Sequence, residues 1–195
     1  MHNSAKAQNA GELDFKMGDY IKEAFNLVKA NPVAFIGGNL IMMIINGVGG
    51  GLLIGPYYAG MYNITNKARA GETVEFGDVF KGFENFGPLF LSGLITNILI
   101  GVGLFFCIIP GFIVGGILLW VMPLVFFQNM SINEAITKSK DIAMKDLGNH
   151  TIFFFLVGLV ALIGVILCGV GILFTVPIGT AAICVAYEDI VEKQA

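Results

Sequence analysis

Three stretches of the chain contain no Asp, Glu, Lys or Arg: Pro32 to Asn66, Asn85 to Asn133 and Leu147 to Tyr187, of 35, 49 and 41 residues. One helical pass needs ~20 residues at 1.5 Å rise to cross a ~30 Å hydrocarbon core. Each stretch is too long for one pass and suits two, and a soluble core does not generate three such runs in 195 residues. Each also carries a turn signal near its middle: Gly47-Val48-Gly49-Gly50-Gly51, Ile108-Ile109-Pro110-Gly111 and Cys168-Gly169-Val170-Gly171. Glycine permits the positive φ of a tight reversal, and proline ends a helix by removing a donor. The expected passes lie at about 33–47, 52–66, 87–108, 111–129, 150–168 and 171–187. The first two are short, ~24 Å each by rise, and suit either a thinned bilayer or a re-entrant hairpin.

Charge places the loops. Charged residues make up 13% of the chain, against ~25% in ordinary soluble domains. All 11 Lys and Arg fall in four polar stretches: Lys6, Lys16, Lys22 and Lys29; Lys67, Arg69 and Lys81; Lys138, Lys140 and Lys145; and Lys193. An even number of passes between them puts all four on one side, and the positive-inside rule makes that side cytoplasmic, with both termini there. Residues 1–31 lack an apolar run, so no signal peptide is expected and the first hairpin serves as its own insertion signal. The outer turns carry no charge and display nothing of any size, which argues against a receptor. Composition also excludes a disordered chain, a disulfide-rich module and a basic nucleic-acid binder.

A one-sided helix precedes each hairpin. Tyr20, Ile21, Ala24, Phe25 and Val28 share a face in the first, with Lys22 and Lys29 opposite. Phe76, Val79, Phe80 and Phe83 do so in the second, with Lys81 outside, and Ile132, Ala135, Ile136, Ser139 and Ala143 in the third, with Lys138 and Lys145 outside. Ser131 with Glu134 fits a capping box, and Thr73 is the expected opener of the second helix. Each second pass contains a proline, Pro56, Pro123 or Pro177, where a freed carbonyl one turn back favours a kink. The expected fold is therefore all-α: a polytopic membrane protein of six transmembrane helices in three hairpins, each preceded by a cytoplasmic amphipathic helix. After a mobile polar tail at 1–14, one domain at 15–190 comprises repeats at about 15–70, 73–130 and 131–190.

Several of these landmarks together resemble a bacterial family: Asn31-Pro32, Gly55-Pro56, Phe76-Gly77-Asp78-Val79-Phe80, Ile109-Pro110-Gly111, Trp120, Pro123, Glu134-Ala135, Ser139, Gly169-Val170-Gly171, Pro177 and Tyr187. It is the six-helix membrane domain fused to some glycerophosphodiester phosphodiesterases and found alone in other proteins. The resemblance covers about 15 to 190 and implies a bacterial inner-membrane protein. The phosphodiesterase chemistry belongs to a soluble domain that these residues do not include, so no catalytic residue carries over.

The apolar windows hold no charge, the usual mark of an ion pathway. Asn39, Asn46 and Asn97 are the candidate intramembrane polar residues; they either line a solute site or bond between helices for about 0.6–2 kcal/mol each. Gly47-x3-Gly51-x3-Gly55 and Gly111-x3-Gly115 suit either dimer faces or close packing within the bundle. Cys107 and Cys168 flank outer turns, where an oxidising compartment permits a disulfide; buried free thiols are the more common state. No Cys or His spacing suits a metal, His150 reads as an interfacial polar residue, and no nucleophile–base set or phosphate loop exists. No cofactor and no enzymatic activity are expected. The candidate lipid- or partner-binding residues are Lys22, Lys29, Lys81, Lys138 and Lys145, whose stems suit an anionic headgroup layer. The leading expectation is a membrane scaffold or accessory protein binding anionic lipid, a membrane partner or a second copy of itself. The alternatives are a small transporter or channel for a neutral solute and, less favoured, a lipid-processing accessory to an enzyme. A continuous polar cavity past Asn39, Asn46 and Asn97 would favour transport; a closed apolar bundle would favour the scaffold.

Overall fold

The computed structural model describes residues 15–106, 108–166 and 171–192, and among them every regular element is a helix. In chain order these are α1 (Met17–Ala30), α2 (Pro32–Val48), α3 (Ile54–Arg69), a 3-10 helix (Phe76–Phe83), α4 (Phe86–Phe106), α5 (Ile108–Ile117), α6 (Val121–Gln128), α7 (Ile132–Lys145), α8 (Leu147–Ile166) and α9 (Ile172–Tyr187), the last continued by a π turn over Glu188–Glu192. The tail at 1–14, Cys107 and the Cys168-Gly169-Val170 part of the third turn lie outside the described residues.

Four helical stretches are long and apolar enough to cross a membrane: Phe86–Phe105, Ile108–Gln128, Leu147–Ile166 and Ile172–Glu192. A fifth is reached if α1 and α2, which meet at 95°, are taken as one bent span. The count of six is therefore not met by length and composition, because α2 and α3 have 17 and 16 residues.

Burial sorts the helices into two layers. α3 and α9 are mostly buried, as is α6 over Val121–Val125. α4 and α8 lie outside and turn apolar side chains outward: Ile98, Val102 and Phe105 on one, Ile152, Phe155, Leu159, Leu162 and Ile166 on the other. Such apolar outer faces, recurring at helical spacing, are what lipid requires and water would oppose. α2 does the same with Val33, Leu40, Ile44 and Val48.

Glycines set the closest approaches. A methyl group at Gly55 would lie 1.9 Å from the Leu89 carbonyl oxygen, and one at Gly93 would lie 2.6 Å from the Gly55 Cα, so α3 and α4 touch backbone to backbone. Gly111 packs against Leu104 and Gly115 against the Phe154 ring, whereas Gly50 and Gly51 adopt the positive φ of the α2–α3 turn. The glycine spacings thus divide between packing and turn geometry.

The amphipathic segments brace the bundle, each in its own way. α7 buries Ala135, Ser139 and Ala143, and opens on the expected capping box, with the Glu134 carboxylate accepting from Ser131 N–H at 3.0 Å. α1 buries Tyr20, Ala24 and Val28 but leaves Phe25 exposed. The second segment is a 3-10 helix, opened by Glu75 and not Thr73, with the Glu75 N–H on Asp78 Oδ2 at 2.9 Å. At three residues per turn, positions i and i+3 eclipse. Val79 and Gly82 therefore face α3, while Phe80 and Phe83 form a separate column continuing in stacked Phe86 and Phe90. The expected single stripe of Phe76, Val79, Phe80 and Phe83 is split: Val79 is fully buried, Phe76 and Phe80 are exposed.

The three prolines also differ. Pro56 is the third residue of α3, where a missing N–H removes no helical bond, so the reason for a bend is absent there. Pro123 follows a break at 118–120 between α5 and α6. Pro177 alone stands inside a continuous helix. Pro110-Gly111, expected in a turn, lies within α5.

Candidate functional site at the charged end of the bundle

Arg69, at the end of α3, holds three polar stretches together. Its Nε donates to Glu23 Oε1 of α1 at 2.7 Å, and its guanidinium also pairs with Glu188 after α9, which in turn accepts from Asn66 Nδ2 at 3.2 Å. One turn earlier on α1, Tyr20 O–H donates to Asp189, the neighbour of Glu188, at 3.1 Å. On the other side of α3, Lys67 pairs with Asp78 at 2.8 Å and Asn63 Nδ2 donates to the Asp78 carbonyl at 2.9 Å. Partial burial raises the Asp78 pKa, but the hydrogen bonds from Lys67 and the Glu75 backbone, with the Lys67 and Lys81 charges, hold it below the usual carboxylate range. The fourth stretch joins through Lys138, which donates to Gln128 Oε1 at 2.8 Å, and Gln128 donates onward to the Tyr187 hydroxyl at 2.8 Å.

The five candidate lysines do not converge on one site. Lys22 and Lys29 stand two turns apart on α1, Lys81 on the 3-10 helix, Lys138 and Lys145 on α7. Lys81 pairs with Glu84 at 3.4 Å and Lys138 is tied to Gln128. Lys22, Lys29 and Lys145 are exposed and make no ion pair among the described residues. Lys29 alone of the five borders an apolar crevice, of about 360 Å³, at the α1–α2 elbow. α1 runs along α9, from the Tyr20–Asp189 contact at one end to Phe25 and Val28 beside Ile178 and Phe174 at the other.

The asparagines of the apolar windows are structural partners. Asn39 is fully buried; its Oδ1 accepts from the Tyr57 hydroxyl at 2.5 Å, and its Nδ2 donates to the Leu173 and Ile172 carbonyls at 3.3 and 3.4 Å. Leu173 is the residue whose carbonyl Pro177, four positions on and lacking an N–H, leaves without a helical donor. Asn39 fills that vacancy and links α2, α3 and α9 in doing so. Asn46 accepts from the Leu53 N–H at 3.0 Å and closes the α2–α3 turn. Asn97 donates to the Gly93 carbonyl of its own helix at 2.8 Å. A cavity of about 140 Å³ does lie beside Asn97, walled by Tyr58, Tyr62 and Thr96, whose buried hydroxyl has no partner; neither Asn39 nor Asn46 lines it.

Ser139 does for the broken pass what Asn39 does for α9. From α7 it accepts from the Trp120 N–H at 3.2 Å and donates to the Ile117 carbonyl at 2.6 Å, satisfying both ends of the α5–α6 break. His150 is buried, with Nδ1 at 2.8 Å from the Asp146 carbonyl and its ring 5.6 Å from that of Trp120. Cys184 is a buried free thiol; the Cys107–Cys168 pairing lies outside the described residues. Among the described residues no group of His, Cys, Asp or Glu is placed to hold a metal ion. No local pattern in the sequence marks the roles of Arg69 and Ser139 or the Asn39–Leu173 bond; only Pro177, by the carbonyl it frees, points to one of them.

Comparison of the chain with models of known families, with curated proteins and with solved structures gives no match.

Proposed function

We propose that the chain is a non-enzymatic integral membrane protein that acts as a scaffold or accessory at the inner face of a bacterial inner membrane, engaging anionic lipid or a membrane partner through its charged end. In this reading it has six passes in three hairpins, with both termini cytoplasmic, and belongs with the six-helix membrane domains it resembles. The threefold repeat is supported by burial: the second helix of each unit (α3, α6, α9) is inner, and the first (α2, α4, α8) is outer.

The observation that carries the scaffold reading is the use of the three asparagines. Asn39 answers a freed carbonyl, Asn46 closes a turn and Asn97 bonds within its own helix, and among the described residues no cavity is lined by all three. A neutral-solute transporter is the second reading, favoured by the cavity at Thr96 and Asn97. Reconstituted vesicles separate the two. The scaffold reading expects glycerol entry at the rate of protein-free vesicles; faster entry that Thr96→Phe abolishes would establish transport instead. Topology is tested by cysteine labelling at Ala5, Ala70, Lys140 and Gln194 in a version lacking native thiols. All four should react only from the cytoplasm, and Leu52→Cys only from outside.

A further inference from the structure

The elbow where α1 turns through 95° into α2 encloses an apolar crevice of about 360 Å³ against α9. Phe25 and Val28 of α1, Ile36 of α2 and Phe174 and Ile178 of α9 form its walls, and Lys29 and Pro32 stand at the elbow itself. Its volume lies in the ~300–1,000 Å³ range of small-molecule sites. Lys29 is the one charged residue of the lining, and it makes no ion pair or hydrogen bond with any described residue. Phe25 is 52% exposed and Phe174 48%, so the crevice opens outward, next to Val33 and Leu40 on the apolar outer face of α2.

These features define the occupant. The walls offer no hydrogen-bonding group, so a peptide seated there would bury amides without partners. A hydrocarbon chain has nothing to satisfy. The rim offers a single ammonium on a flexible stem, suited to one phosphate. We propose that the α1–α2 elbow is a binding site for an anionic phospholipid, with one acyl chain in the crevice and the phosphate on Lys29. Entry is lateral, from the layer of lipid around α2. The site rests on the reading of the chain as a membrane protein that engages anionic lipid, and it names one place where that happens.

The test is native mass spectrometry of the purified full chain after exchange into micelles containing phosphatidylglycerol or phosphatidylcholine. The wild-type chain should retain phosphatidylglycerol in preference. Lys29→Gln should lose about fivefold of that preference, the equivalent of the ~1 kcal/mol that one basic residue contributes at an anionic surface. Lys29→Arg should keep it, and Lys140→Gln, on α7 and outside the crevice lining, should leave it unchanged. Ile178→Trp, which fills the crevice, should reduce retention of both lipids, with an unchanged melting temperature excluding misfolding. Undiminished preference in Lys29→Gln, or full retention in Ile178→Trp, would overturn the site, as would displacement of the lipid by millimolar inorganic phosphate alone. A chain that carries no anionic lipid would instead refute the broader reading.

Discussion

Asn39 offers a way to measure what a proline costs inside a long apolar helix and how a neighbour offsets it. Asn39→Ala strips the Tyr57 hydroxyl of its acceptor and the Leu173 carbonyl of its side-chain donor. Orphaned buried groups cost about 1–3 kcal/mol each in soluble proteins, while interhelical bonds in membranes average ~0.6 kcal/mol with a ceiling near 1.7. A loss of about 2–3 kcal/mol is expected, cavity included. The carbonyl share can be isolated. In Pro177→Ala, position 177 regains an N–H one helical turn from Leu173, so the carbonyl no longer depends on Asn39. Asn39→Ala should then cost about 1 kcal/mol less than in the wild-type background, a fivefold difference in the folded-to-unfolded ratio. The hydroxyl and cavity contributions are common to both backgrounds and cancel in the cycle. Reversible unfolding of all four proteins in mixed micelles titrated with sodium dodecyl sulfate provides the free energies. Equal costs in the two backgrounds, within ~0.3–0.5 kcal/mol, would refute the coupling of Asn39 to the carbonyl that Pro177 frees.

Ser139→Ala leaves the Trp120 N–H and the Ile117 carbonyl unpaired, and the same unfolding assay should show a loss of about 1–3 kcal/mol. Gly60→Ala would drive a methyl group to 2.0 Å from the Val79 carbonyl oxygen and should abolish accumulation of folded protein; Gly101→Ala, where nothing lies within 4 Å, should be tolerated, as membrane-fraction immunoblots will show. Because the Asp78 pKa is lowered in the fold, its stabilising contribution is complete above the ordinary carboxyl value of ~3.9 and is lost as pH falls through the lower folded value. Melting temperature should therefore fall on acidification below about pH 4, and Lys67→Met, which removes the first partner of Asp78, should flatten that fall.

Much of this protein is a local property of its chain. The charge-free windows set where long apolar helices lie, because burying a charge in hydrocarbon costs more than any other local choice. Apart from the break at 118–120 that divides the fourth, the described helices begin and end within a few residues of the expected passes, and the Ser131–Glu134 capping box closes between neighbours in sequence. The stripes of α1 and α7 are largely buried as their periodicity implies. What periodicity cannot carry is which surface a stripe meets. The second segment has a 3-10 pitch, Gly60 and Gly82 let its backbone press against α3, and that pitch divides its phenylalanines between two columns. The same limit applies to the polar residues. Arg69 meets Glu188 across 119 positions and Asn39 meets Leu173 across 134, so their roles as hub and helix mender exist only once α2, α3 and α9 have packed. Proline announces the carbonyl it frees, but the donor that answers comes from a distant helix, and only tertiary packing, by making an unpaired carbonyl costly, decides which one.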